Sequence, residues 1–395
     1  MGRPVAALLV LCFISVTARA AAFRVHGRLL ADDATEGGAV VPIHWTQAMN
    51  YVANFTIGTP PQPASAVIDL AGELVWTQCK QCGRCFEQGT PLFDPTASNT
   101  YRAEPCGTPL CESIPSDVRN CSGNVCAYEA STNAGDTGGM VGTDTFAVGT
   151  AKASLAFGCV VASDIDGTMD GPSGIVGLGR TPWSLVTQTG VAAFSYCLAP
   201  HDAGKNSALF LGSSAKLAGG GKAASTPLVN ISGNGNDLSN YYKVQLEGLK
   251  AGDAMIPLPP SGSTVLLDTF SPISFLVDGA YQAVKKAVTV AVGAPPMATP
   301  VEPFDLCFPK SGASGAAPDL VFTFRGGAAM TVPASNYLLD YKNGTVCLAM
   351  LSSARLNSTT ELTLLGSLQQ ENIHFLFDLD KETLSFEPAD CTKLS

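Results

Sequence analysis

Residues 64–76 read ASAVIDLAGELVW, and residues 263–275 read STVLLDTFSPISF. In both, two apolar residues run into an aspartate: Val67-Ile68-Asp69 and, 199 positions later, Leu266-Leu267-Asp268. An apolar pair closed by glycine follows each one. It is Ile175-Val176-Gly177 in the first case and Leu364-Leu365-Gly366 in the second, at spacings of 108 and 98 residues. A lone aspartate at the end of an apolar strand is usually a turn cap. Two of them, each followed in the same order by the same kind of partner, describe a duplicated unit. The duplication predicts two β lobes, each offering one aspartate at a strand end.

Working outward, the short apolar runs 51–57, 65–69, 74–77, 143–148 and 154–158 are broken by Gly, Pro, Asn and Asp, and further runs stand at 241–246, 264–268, 320–324 and 361–365. That spacing predicts an all-β chain. Forty Gly and 26 Pro leave little room for long helices; the candidates are 279–290, 184–189 and the piece 333–338. Loops are read at 219–221 and 232–240. The reading divides the chain into an arm or short pro-segment at 21–46, a first lobe at 47–205 and a second at 206–395.

The net charge is −10, from 33 acidic and 23 basic residues, which argues against nucleic acid or an anionic membrane as partner. Residues 1–20 combine Arg3, an apolar run and Ala18-Arg19-Ala20, the pattern of a secretory leader. Beyond Cys12 in that leader, twelve cysteines remain: Cys79, Cys82, Cys85, Cys106, Cys111, Cys121, Cys126, Cys159, Cys197, Cys307, Cys347 and Cys391. An even number in an exported chain predicts six disulfides, with the connectivity open apart from a local Cys307–Cys347 pair. Zinc and iron–sulfur spacings are incomplete around Cys79–Cys82–Cys85. Glycosylation sequons stand at Asn54, Asn120, Asn230, Asn343 and Asn357; Asn54, within a strand, is usable if its side chain points outward. The expected product is a secreted monomer of the extracellular space or cell wall, or a vacuole.

Two carboxyls brought together at a lobe interface share a proton, because both cannot ionise cheaply. The ionised one can deprotonate a water while the neutral one protonates a carbonyl oxygen, which is peptide hydrolysis without cofactor, metal or nucleophilic side chain. His26, His44, His201 and His374 show no triad or metal spacing, and G-x-S-x-G and H-E-x-x-H are absent.

These features resemble the pepsin-like aspartic proteases, in particular the plant nepenthesin-like branch. The resemblance rests on YVANFTIGTPPQ (51–62), ELVWTQC (73–79), the Cys-rich insertion 79–126 and GIVGLG (174–179). It continues through FSYCL (194–198), FDLCF (304–308), VCLAM (346–350) and LLGSLQQEN (364–372). It implies a bilobal fold with a cleft, a hairpin flap over it, and Asp69 and Asp268 as the catalytic pair. The family motifs, D-T-G-S and D-[ST]-G-[ST], are altered to Asp69-Leu70-Ala71-Gly72 and Asp268-Thr269-Phe270-Ser271. By the resemblance Thr269 reaches across to the opposite loop, whereas Leu70 cannot. Ser271 bonds its own aspartate, whereas Gly72 cannot. Ala71 and Phe270 crowd the backbone N–H groups next to the carboxyls. Thr132 stands where the flap tyrosine is expected, leaving Trp76 without its partner. Asp136-Thr137-Gly138-Gly139 mimics the motif but follows no apolar strand. Hence two expectations: an acid endopeptidase acting on polypeptide, or an inactive binding protein on the same fold. The latter would be like the plant xylanase inhibitors that bind glycosidases, whose first motif, D-x-A-G-x-L-V-W, is matched by residues 69–76.

Overall fold

The strand Gln62–Asp69 lies parallel to Gly174–Gly177, with Val67 opposite Ile175 and Ile68 opposite Val176. In the second lobe Thr264–Leu267 lies parallel to Thr363–Leu365, with Leu266 opposite Leu364 and Leu267 opposite Leu365. The pairs visible in the sequence repeat are therefore cross-strand neighbours in both lobes. A third strand returns antiparallel on the far side in each case, Val75–Gln78 in the first lobe and Ser274–Leu276 in the second. The loop carrying each aspartate thus lies between two strand ends. The closing glycines are required by that crossing. A Cβ on Gly177 would fall 2.5 Å from the Gly72 carbonyl oxygen, and one on Gly366 would fall 2.6 Å from the Ile273 carbonyl.

The computed structural model describes residues 29–30 and 37–394, apart from 133, 150, 166–168, 170, 220–222, 230–238, 260–263, 312–316 and 357–361. The leader at 1–20, most of the loops at 219–221 and 232–240, and the sequons at Asn230 and Asn357 lie outside the described residues. Asn54 and Asn120 are exposed, and Asn343 sits in the 3-10 turn Lys342–Gly344. No helix among the described residues is long and apolar enough to cross a membrane.

The strands form three sheets. The largest joins the lobes: Thr383–Pro388, Ile373–Asp378, Ala193–Cys197, Ser207–Leu211, Ala39–Trp45 and Tyr51–Ile57 lie side by side. This corrects the reading of 21–46 as an arm or pro-segment in one respect. Ala39–Trp45 is an integral strand, paired on both edges, with Ala39, Val41 and Ile43 buried. A segment removable without exposing two strand edges ends before Ala39. Strands read as 143–148 and 154–158 belong to the longer hairpin strands Gly135–Val148 and Ala151–Ser163. The Gly-rich half of the first of these pairs with Val125–Thr132 to form the flap hairpin.

Helix Asp278–Val292 extends the expected segment and buries Ala280, Tyr281, Val284, Val288 and Val292 at helical spacing before Gly293 caps it in the left-handed conformation. Leu185–Thr189 is helical, but the piece 333–338 holds only the 3-10 turn Ala334–Asn336, after which the chain enters the strand Leu338–Tyr341. The twelve cysteines form six disulfides: Cys79–Cys159, Cys82–Cys85, Cys106–Cys121, Cys111–Cys126, Cys197–Cys391 and Cys307–Cys347. Three lie inside the insertion 79–126, Cys79–Cys159 fixes its root to the lobe, and Cys197–Cys391 anchors the C-terminus to the joining sheet.

Candidate active site

The two aspartate loops meet at one hydroxyl. Thr269 Oγ1 donates to the Ile68 carbonyl at 2.8 Å and accepts the Leu70 N–H at 2.9 Å, gripping the backbone on both sides of Asp69. Leu70, fully buried, packs in the core and returns no such bond, so the clasp is one-sided. The Asp69 carbonyl is held by the N–H groups of Leu178 (2.8 Å) and Gly72 (3.1 Å). On the other side the Asp268 N–H donates to the Leu365 carbonyl at 3.1 Å. The Asp268 carbonyl accepts Gln370 Nε2 at 2.7 Å, and Tyr196 OH donates to the same glutamine's Oε1. Gln370 was quoted in the sequence only within a motif; its role in holding the Asp268 loop depends on a contact across 102 residues.

Both carboxyls are buried, Asp69 at 1% and Asp268 at 4% exposure. Asp69 Oδ1 accepts the Ala71 N–H at 2.9 Å, and Asp268 Oδ1 accepts the Phe270 N–H at 2.7 Å. The expected crowding by the Ala71 methyl and Phe270 ring is thereby corrected, because each side chain leaves its own N–H on the carboxylate. A second correction concerns Ser271. Its hydroxyl donates to the Ile273 carbonyl at 2.9 Å rather than to Asp268, since the turn brings that carbonyl within reach. Burial pushes the Asp268 carboxyl up to about 6, against the downward pull of the Phe270, Ser271 and Thr269 backbone. Burial thus favours the protonated form of Asp268.

Phe270 belongs to the second lobe, yet its half-buried ring packs against the first-lobe cluster containing Trp76, Tyr128 and Ile175, which also carries the flap residues Ala130 and Ala134. Next to Asp69 remains a cavity of about 280 Å³, walled by residues that include Glu73, Leu74, Trp76, Ser131, Ile175 and Tyr241. Glu73 and Tyr241 were not singled out in the sequence, where an exposed Glu and a strand-edge Tyr carry no distinguishing pattern. Thr132 lies at the flap end, its hydroxyl donating to the Gly135 carbonyl at 2.8 Å and accepting the Ala134 N–H at 3.2 Å. Trp76 Nε1 has no hydrogen-bond partner among the described residues. Asp136 is exposed on the flap, where its Oδ1 accepts the Ser131 hydroxyl.

A second constellation lies in the joining sheet: His374 Nε2 is 3.1 Å from Ser195 Oγ, with Glu387 cross-strand from His374. All three are sealed in the interior, and His374 Nδ1 has no partner among the described residues. Nothing orients this imidazole as a base or admits a substrate.

Residues 51–213 match the family model described as Xylanase inhibitor N-terminal, and residues 241–388 that described as Xylanase inhibitor C-terminal. Aspartic proteinase nepenthesin-1 of Nepenthes gracilis is 33% identical over 354 residues, covering 86% of this chain and 78% of the relative. Nepenthesin-2 of the same plant is 32% identical over 353 residues, with the same coverage of each chain. The crystal structure of edgp matches with a TM-score of 0.75 at 20% identity, covering 91% of this chain and 98% of that one, a likeness that concerns the fold. The duplicated aspartate loops, the joining sheet and the flap hairpin, with a third of positions shared with nepenthesin-1 over most of both chains, lead to one assignment: this chain belongs to the pepsin-like aspartic proteases, alongside the plant nepenthesins.

Proposed function

We propose that this chain is a secreted, monomeric aspartic endopeptidase that hydrolyses polypeptides at acid pH through Asp69 and Asp268. Asp69, ionised, takes a proton from a water held between the carboxyls while Asp268 gives its proton to the scissile carbonyl oxygen. The water oxygen bonds the carbonyl carbon. As that intermediate collapses, the C–N bond breaks, the departing nitrogen takes a proton from Asp69, and one hydroxyl of the intermediate returns its proton to Asp268 as the new carboxyl group forms. The observation that carries this reading is the retained pair of buried aspartates on loops clasped by Thr269, with burial keeping Asp268 protonated up to about pH 6. The extracellular space, cell wall or vacuole is the proposed location, from the leader and the six disulfides.

One observation favours a second reading, a non-catalytic binder of a protein target: the Phe270 ring crosses onto the first-lobe cluster that also carries the flap residues Ala130 and Ala134. The missing hydroxyl at Gly72 adds to it, since a hydrogen bond to a charged group is worth about 1.5–3 kcal/mol, or roughly 10- to 100-fold in rate. The xylanase-inhibitor description of the matched family models is consistent with a glycosidase as target. Hydrolysis of an unfolded acid-soluble protein across pH 2–6, with and without a statine inhibitor, separates the two. Inhibitor-sensitive cleavage supports the peptidase; an inert protein leaves the binder.

A further inference from the structure

The cavity beside Asp69 has walls of contrasting polarity. Asp69 and Glu73 offer carboxyl oxygens, and of the several lone pairs on Glu73 one is taken by Asn240 Nδ2 at 2.9 Å. Trp76, 1% exposed, walls the same cavity, and its indole N–H has no acceptor among the described residues. A buried N–H left unmade is costly, so a group that supplies an acceptor there gains the whole of that cost back. No cationic side chain stands among the described residues of the lining.

Ligand groups differ in how many of these demands they meet. An ammonium or guanidinium suits Asp69 and Glu73 but leaves the indole N–H unpaired. A carboxylate accepts from Trp76 but brings like charge to Glu73 and Asp69. An aliphatic side chain meets none. A carboxamide offers a carbonyl oxygen and an NH₂ group at the two ends of one plane, so it accepts from Trp76 while donating to a carboxylate opposite.

We propose that this cavity is a subsite for a carboxamide side chain, Asn or Gln, of a bound polypeptide, with Trp76 Nε1 as the specificity-determining donor and Glu73 as the acceptor. It rests on the polypeptide-binding cleft proposed above and adds the side-chain class that the cleft selects. The volume of about 280 Å³ lies just under the roughly 300–1,000 Å³ of drug-sized ligand pockets, which suits one side chain better than an extended segment. The N–H is shielded from solvent in this conformation, so the side chain reaches it by entering beneath the flap wall at Ala130, Ser131 and Thr132. A site built to bond a polar group rejects the analogue lacking it far more strongly than an apolar pocket discriminates by size.

The test is binding of statine-centred hexapeptides, which needs no turnover. Gln is compared with its near-isostere Met and with Glu at each position flanking the statine, by titration calorimetry on the intact protein and on Trp76→Phe. At one position Gln binds at least about tenfold tighter than Met and Glu, and Trp76→Phe, which keeps an aromatic ring but removes the N–H, brings Gln and Met to within about threefold. Equal binding of the three peptides at both positions in the natural protein overturns the proposal, as does a Gln preference that survives Trp76→Phe. Should Trp76→Phe fail to fold, the three-peptide comparison on the natural protein still decides. Failure of every statine peptide to bind overturns both the subsite and the polypeptide cleft. Gln-selective binding without hydrolysis of any substrate keeps the subsite and removes the peptidase reading alone.

Discussion

Replacing Thr269 by Val removes the one hydroxyl that joins the aspartate loops while keeping nearly the same shape. The Leu70 N–H loses its acceptor and the Ile68 carbonyl loses its donor. Both lie in a water-poor interface, with Leu70 at 0% and Thr269 at 3% exposure. An orphaned buried donor costs about 1–3 kcal/mol and an ordinary hydrogen bond about 0.5–1.5 kcal/mol. The sum is a destabilisation of about 1.5–4.5 kcal/mol, among the larger single-residue effects. It is not buffered, because Leu70 has no hydroxyl to make the reciprocal bonds. Urea unfolding of the natural protein, Thr269→Val and Thr269→Ser measures it; Ser keeps the hydroxyl and is expected within about 1 kcal/mol of the natural protein. Statine-peptide affinity should fall in parallel for Val only, as the carboxyls lose their mutual placement. A Val variant within about 0.5 kcal/mol of the natural protein, the range of an ordinary surface change, would refute the one-sided clasp.

Asp69→Asn and Asp268→Asn should each abolish acid hydrolysis, and activity indifferent to both would show that other residues do the chemistry. Phe270→Gly should raise peptide turnover about 3- to 10-fold, since a half-buried ring contributes about half of the 1.5–3 kcal/mol of a fully buried one, which a spanning ligand must otherwise displace; an unchanged rate means the ring does not obstruct the substrate. Gly72→Ser is a poor companion change, as its Cβ would stand 2.9 Å from Gly177 Cα and 3.0 Å from Asp69 Oδ2. Because the folded Asp268 carboxyl titrates at about 6 against an ordinary 3.8, its contribution to stability is complete below about pH 4 and is lost as the pH rises to about 6. Asp268→Asn should flatten that window of a stability-versus-pH curve. His201 Nδ1 lies 3.1 Å from the buried Glu371 Oε1, a hydrogen bond that raises the imidazole above its ordinary 6.5. Its stabilisation is full below that value and fades as the pH rises through the folded pKa, so His201→Gln should show a smaller loss of stability between pH 6 and 8. Thiol titration of the denatured, unreduced mature protein should give no signal, and two reactive thiols per chain would contradict the six pairs.

The sequence by itself determined the parts that depend on period and repetition. Apolar pairs buried on both faces must lie inside a sheet, so Val67-Ile68 and Leu266-Leu267 announced central strands, and their ordered partners announced which strands lie beside them. The even cysteine count announced full pairing, and Cys307–Cys347 could be read because the two flank a self-contained stretch with no other cysteine in it; among the seven cysteines crowded between Cys79 and Cys126 several partners compete, and the fold made the choice. What the tertiary structure decided is where side chains point once distant loops meet. The letters Asp-Thr-Phe-Ser do not say that Thr269 spans Asp69 while Ser271 turns to Ile273, because both hydroxyls are free to choose among carbonyls that folding places nearby. Nor do they say that Phe270 crosses to the opposite lobe. Its ring goes there because burial against Trp76, Ile175 and their neighbours removes apolar surface from water, and that surface exists only after both lobes have formed. The strand Ala39–Trp45 was hidden for the same reason: its partners lie on either side in space, and Ser207–Leu211 is far along the chain.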